Sequence, residues 1–396
     1  MSVWDDLVGQ DHVSEALRSA AVDAAGIVAG QDPRGYMTHA WLVTGPPGSG
    51  RSTAARAFAA ALQCENTPPG CGVCDGCRTS LGGTHADVTL VATERVILTI
   101  DEIEHLVGVA QQAPTQGRWR VIVVEDADRM VEQTSNLLLK AIEEPPERTV
   151  WLLCTPAAGD VLPTIRSRCR LLTLRVPPVE DVARLIARRD GVDLDTARAA
   201  AMMSQSHIGL ARHLATDEGA RKRRARLMNA PATVRSVADA VMAADTLVTV
   251  AKEEAEERTQ QRNAAEKAEL LRMLGYDGSG RTPRHVASQL NSLAENQKRR
   301  ATRIERDTLD RTLSDLLSLY RDVYIVQADA EVELINVDQR DLIHALAAES
   351  TREITVMRMD AIAVARRRLA ANVAPLLVME AMAIALRPQF AHGRTT

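Results

Sequence analysis

"VTGPPGSGRSTAARAF", Val43–Phe58, follows a short apolar run and opens a stretch with helical character. Gly45–Ser52 falls on the pattern G-x-x-x-x-G-K-[ST] with one departure, Arg51 at the lysine position. The glycines Gly45, Gly48 and Gly50 let backbone N–H groups approach phosphate oxygens, and the helix start adds partial positive charge. Ser52, followed by Thr53, stands where a hydroxyl ligates magnesium. Arg51 keeps the charge but not the shape, because a guanidinium is a wide planar fork and an ammonium is compact. The loop is suited to hold phosphate, and Arg51 weighs against cleavage of a γ-phosphate.

Outward from this loop, "AWLVTG" (Ala40–Gly45), "DVTLVA" (Asp87–Ala92), "RVIVVED" (Arg120–Asp126) and "TVWLLCT" (Thr149–Thr155) are short and rich in Val and Leu. They read as buried parallel strands. Helical stretches such as "QTSNLLLKAIEE" (Gln133–Glu144) separate them, so residues 1–176 are expected to form a three-layer α/β domain with a parallel sheet. From "PPVEDVARLIARR" (Pro177–Arg189) onward the strand signal ceases. Residues 177–230 read as a small helical lid, and residues 231–396 as an all-helical domain broken at "GYDGSGRTPR" (Gly275–Arg284). "KEEAEERTQQRNAAEKAELLRML" (Lys252–Leu274) has acid–base pairs at helical spacing and reads as a solvated helix.

The chain has 396 residues, with 45% hydrophobic and 25% charged. These are values for a globular protein of two or three domains. Aromatics are 3%, too few for a surface that stacks on many bases. A net charge of −4 restricts any nucleic-acid contact to a local basic patch or to partners. No run reaches the roughly 18 apolar residues of a membrane span. The start, "MSVWDDLVGQ", lacks the basic region of a signal peptide, so a cytoplasmic location is expected.

In that compartment clustered cysteines point to metal. "CENTPPGCGVCDGC" carries Cys64, Cys71, Cys74 and Cys77 with C-x6-C-x2-C-x2-C spacing. Four thiolates so spaced can converge on one tetrahedral zinc of structural type. The C-x2-C-x2-C run is shared with iron–sulfur proteins, although the trailing C-x3-C-P is missing; free thiols are the third alternative. Cys154 and Cys169 are isolated and read as buried apolar residues.

"VIVVEDADRM" ends an apolar strand on Glu125 and Asp126. A strand of this type in a nucleotide hydrolase usually ends in Asp, for magnesium, then Glu, to polarise water. The reversed order shifts each carboxylate by roughly 1.5 Å, which in-line phosphoryl transfer tolerates poorly. "TIRSRC" (Thr164–Cys169) holds an arginine pair after a helix, read either as solvated or as presented to a neighbour's nucleotide. "RKRRAR" (Arg221–Arg226) reads as a solvated linker face, with contact to DNA phosphates as the alternative.

Together, "VGQDHV", "GPPGSGRST", the inserted cysteines, "VIVVEDADRM", "SNLLLKAIEEPPE" and "TIRSRC" resemble bacterial clamp-loader AAA+ subunits of DNA polymerase III. The resemblance covers about residues 1–215. The remainder looks like the family's collar domain without a sharp motif. Arg51, the Glu125–Asp126 order and Ser167–Arg168–Cys169 make the chain most similar to the delta-prime type. An active gamma/tau-type motor is the alternative, and a zinc-containing interaction protein on a degenerate AAA+ scaffold is an alternative of another class. The resemblance implies a pentameric ring with gamma/tau and delta subunits, in which Arg168 is offered in trans to a neighbour's ATP. It also implies a sliding clamp and primer–template DNA as partners through the complex. Val8 and Gly9 match adenine-contact positions, Thr155 a sensor-1 position and Arg212 a sensor-2 arginine. ATP or ADP at the Arg51 loop is left open.

Overall fold

The computed structural model describes residues 2–91, 98–232, 234–276 and 283–387. Two compact units follow one another along the chain, Met1–Thr216 and Asp217–Thr396. In the first, the order is α1 (Asp11–Val28), β1 (Ala40–Thr44), α2 (Arg51–Leu62), α3 (Asp75–Leu81), β2 (Val88–Val91), α4 (Ile100–Ala110), β3 (Arg120–Val124) and α5 (Glu132–Glu143). There follow β4 (Thr149–Thr155), α6 (Pro163–Arg166), β5 (Arg170–Thr173), α7 (Val179–Asp190), α8 (Leu194–Met203) and α9 (Ile208–Thr216).

The strands form one parallel sheet in the order β2-β3-β4-β1-β5. β1, β3 and β4 are buried along their whole length, which is why their sequences are continuous apolar runs. Alternate residues point to opposite faces. Trp41, Val43, Val121, Val123, Val150 and Leu152 pack with α1 and α2. Leu42, Ile122, Val124, Trp151 and Leu153 pack instead with α4, α5 and α6. The three-layer expectation therefore holds. Thr44 pairs with both Thr155 and Thr173, so the strands' carboxyl ends lie at one level and present the following loops together.

β5 was not expected from the sequence. It is an edge strand with only Leu172 of its four residues buried, so it lacks the continuous apolar signature. Arg170 turns outward to donate to the carbonyls of Tyr36 and Gly35.

Buried polar groups organise the first unit as well. Asp87 is fully buried and accepts N–H bonds from Thr115 (2.8 Å), Gln116 (2.7 Å) and Gly117, with Arg120 3.0 Å away. Arg120 also donates to the carbonyls of Ala86, Gln112 and Ala113. The pair thereby fixes the loop that leads into β3.

The described residues of the second unit are helical apart from short turns: α10 (Glu218–Ala232), α11 (Val237–Met273), α12 (Arg284–Gln327), α13 (Arg340–Glu349), α14 (Arg352–Ala370) and α15 (Pro375–Leu386). Leu247, Leu309, Leu313, Leu316 and Leu319 are at the centre of its core. Of the break expected at Gly275–Arg284, residues 277–282 lie outside the described residues. The "RKRRAR" run is no linker: it lies within α10. Arg224 is buried, 3.2 Å from Asp315, and donates to Asn336 Oδ1 at 2.6 Å, while Lys222 and Arg223 pair with Glu218 and Asp217. Among the described residues no helix is long and apolar enough to cross a membrane.

Candidate functional site

The loop after β1 reaches α2 through Gly45, Gly48 and Gly50, all with positive φ. The requirement is clearest at Gly48: at φ +80°, a Cβ there would lie 2.2 Å from the ring Cγ of His207. His207 stands at the start of α9, and the next residue, Ile208, donates its N–H to the Gly48 carbonyl at 3.3 Å. The start of α9 therefore packs directly on the loop at Gly48. From within, Arg51 bends back and donates from Nη1 to the Gly45 carbonyl. Burial pulls its pKa down, opposed by Cys154, Asp128 and Asp126. Ser52 and Thr53 occupy the first turn of α2, as the motif requires.

Glu125 follows β3 on the same edge of the sheet. Arg56, one turn along α2 from Ser52, places both Nε and Nη2 2.7 Å from Glu125 Oε1. The carboxylate next to the magnesium position is therefore already matched by a guanidinium. Asp126 lies 3.7 Å from Arg129 Nε. Thr155 ends β4 and donates its hydroxyl to the Ala157 carbonyl at 3.1 Å. As arranged, His207 packs on Gly48, Arg51 on the Gly45 carbonyl and Arg56 on Glu125, so a nucleoside triphosphate with its metal would have to displace the Arg51 and Arg56 contacts. Sequence reasoning found the loop and the acids but missed Arg56 and His207. The only sequence signal for Arg56 is its spacing of four from Ser52, which places both on one helix face.

Val8 and Gly9 lie in the segment before α1 and border a groove with Trp4, Leu7 and Leu185. Gly9 lies against Pro177 and Pro178. The next residue, Gln10, is buried and both donates to and accepts from the Arg175 backbone. Arg212, on α9, is held by both Asp190 oxygens at 2.8 and 3.0 Å. That bond pushes its pKa up.

Arg168 lies beyond α6. Its Nη2 is 2.6 Å from Glu143 on α5, and its Nη1 donates to the Thr164 carbonyl at 2.7 Å. Both side chains of this pair are about two-fifths exposed, 39% and 42%, so Arg168 can leave Glu143 without opening the core. Ser167 donates to the same Thr164 carbonyl. Cys169 is half-buried, and burial pushes its thiol up to about 12, so it is an inert packing residue. Cys154 is wholly buried and inert for the same reason.

The structure brings the four clustered cysteines together. Cys64 follows α2, Cys71 lies on the intervening loop, Cys74 caps α3 and Cys77 is in its first turn. All four sulfurs lie within 4.8 Å of one another, and Cys64 and Cys74 are 3.8 Å apart. A tetrahedral ion with bonds of about 2.3 Å separates its sulfurs by about 3.8 Å. The backbone N–H groups of Cys74 and Cys77 point at Cys71 and Cys74 sulfur. An N–H bond from Val73 holds the Cys71 thiol down at about 6, whereas burial pushes Cys77 upward. The donor set fits one metal ion.

The family described as DNA polymerase III, delta subunit, matches residues 29–178. The gamma/tau subunit of Mycobacterium tuberculosis DNA polymerase III is 34% identical over 198 residues, 48% of this chain and 32% of that one. The Escherichia coli delta-prime subunit is 33% identical over 186 residues, 46% of this chain and 55% of that one. This chain thus spans about a third to a half of the length of these relatives. A solved gamma-subunit-related protein of Thermotoga maritima, 16% identical, covers 88% of this chain and 94% of its own at a TM-score of 0.37, too loose a likeness to add to the fold. The family match lies in the parallel-sheet unit with its loop, acids and cysteines, and the chain is similar to DNA polymerase III gamma/tau and delta-prime subunits.

Proposed function

We propose that this chain is the delta-prime-type stator of a DNA polymerase III clamp loader. It joins gamma/tau and delta subunits in a pentameric ring, through which the sliding clamp is placed on primer–template DNA. The observation that carries this reading is the contrast between two arginines. Arg51 is turned back onto the Gly45 carbonyl of the chain's own phosphate loop, while Arg168 stands on the surface with a half-exposed, breakable partner. An arginine in that position stabilises charge developing on a neighbour's γ-phosphate. Residues 177–230 act as the lid and 231–396 as the collar through which the ring assembles.

An active gamma/tau-type motor is the second reading, because this chain is as similar to gamma/tau as to delta-prime relatives. It requires Arg51 and Arg56 to leave the Gly45 carbonyl and Glu125 before turnover.

Expressed with the other clamp-loader subunits, the chain is expected to co-purify with gamma/tau and delta as one complex. Failure to do so supports a degenerate AAA+ scaffold used elsewhere.

The metal is zinc in this reading. Four thiolates complete its shell and leave no position for substrate, so its part is structural. An iron–sulfur cluster interposes iron and sulfide between thiolates on different irons and needs those thiolates further apart than the 4.8 Å within which all four sulfurs lie. Elemental analysis of the purified chain should find about one zinc per chain. Iron, or no metal, contradicts the assignment.

A further inference from the structure

The segment Ser2–Gln10 has no regular secondary structure of its own, yet Val3, Trp4 and Leu7 are buried. Its first residues are seated on the cysteine module. The Val3 N–H and the Ser2 hydroxyl both donate to the Gly70 carbonyl at 3.0 Å, and Trp4 Nε1 points at the Pro69 carbonyl at 3.4 Å. Gly70 sits at φ +97°, and a Cβ there would lie 2.5 Å from Trp4 Nε1 and 2.9 Å from Val3 Cγ2. The receiving loop is the six-residue stretch between Cys64 and Cys71. It has no helix or strand of its own, and its two ends are the two cysteines.

The other end of the segment reaches different elements. Gln10 clamps the Arg175 backbone after β5, and Arg188 on α7 donates to the Asp5 carbonyl at 3.1 Å. Ser2–Gln10 therefore ties the cysteine module to α7.

We propose that the metal held by Cys64, Cys71, Cys74 and Cys77 acts as the clasp of this segment. By closing the loop between Cys64 and Cys71 it fixes Gly70 as the receptor for Val3 and Trp4, and loss of metal releases Ser2–Gln10 while the sheet stays folded. The inference rests on the metal reading above. Its physical basis is loop closure: an untethered loop with no secondary structure loses conformational entropy when it presents one carbonyl in one place, and the ion removes that freedom beforehand. Val8 and Gly9 lie within the segment, so the groove that they border is shaped only while the clasp is closed.

Hydrogen–deuterium exchange on the full chain tests this, with metal content measured on the same sample. On chelation, the Val3 amide should exchange at least about tenfold faster, while Leu152 and Leu153 in β4 keep their protection. Gly70→Val, which leaves every cysteine in place, should keep the metal and still free the Val3 amide by a similar factor. Unchanged Val3 exchange in either arm overturns the proposal, as does equal loss of protection in β4 on chelation, which would make the metal a support of the whole domain. A chain that purifies with no metal defeats the metal reading and the clasp with it, whereas bound metal with a steady Val3 amide defeats the clasp alone.

Discussion

Arg168→Ala is expected to leave this chain folded and metal-bound, and to slow ATP cleavage at the adjoining site of the assembled ring by about a thousandfold or more, the range set by arginines acting in trans. Nothing in the fold depends on the side chain: its partners are Glu143, the Thr164 carbonyl and Ser167, all at the surface. A half-exposed ion pair of this kind contributes less than about 1 kcal/mol, so leaving Glu143 for a neighbour's phosphate is a small cost. The measurement is single-turnover hydrolysis by rings built with wild-type or Arg168→Ala chain. Because one site of several loses its finger, steady-state turnover of the whole ring understates the effect. Equal single-turnover rates at the adjoining site refute the role of Arg168.

Asp87→Asn is expected to destabilise the α/β domain by about 3–5 kcal/mol, the cost of leaving one member of a buried ion pair without its partner. Stabilities of whole domains are about 5–15 kcal/mol, so this single change removes a large share. The amide preserves shape but strands the buried Arg120 guanidinium and weakens the bonds from Thr115, Gln116 and Gly117. The same carboxyl governs acid stability. Burial pushes it upward, but the N–H bonds from Thr115, Gly117 and Gln116 prevail and hold it at about 2, below its ordinary 3.8. Its contribution, about 2 kcal/mol, is complete above pH 4 and is lost as pH falls from about 4 towards 2. Chemical denaturation of the two proteins at pH 7 and at pH 3 checks both statements. The gap between them should be widest at pH 7 and narrow on acidification, and a gap that does not change with pH contradicts the assignment to this carboxyl.

What was legible in the sequence was what leaves a local pattern. β1, β3 and β4 are buried on both faces, so each is an unbroken apolar run, and the cysteines are separated by a few residues that can only turn. β5 lies at an edge with one buried residue, and its sequence resembles a loop. The features that decide what the phosphate loop can do are pairings across long separations. Arg56 meets Glu125 from 69 residues away, and His207 packs on Gly48 from another helix. Neither residue is unusual where it stands, so neither carries a signal until the sheet brings the loops to one edge. Arg224 was legible only as charge. Its burial against Asp315 and Asn336 depends on helix packing that composition does not encode.

The most direct measurement is ATP hydrolysis by the isolated chain with magnesium, followed beside Arg51→Lys. With Arg56 on Glu125 in both proteins, restoring the lysine repairs one departure among several. Both rates are therefore expected to stay at background. Rapid, DNA-independent hydrolysis by the wild-type chain, abolished by Arg51→Ala, would contradict the stator account.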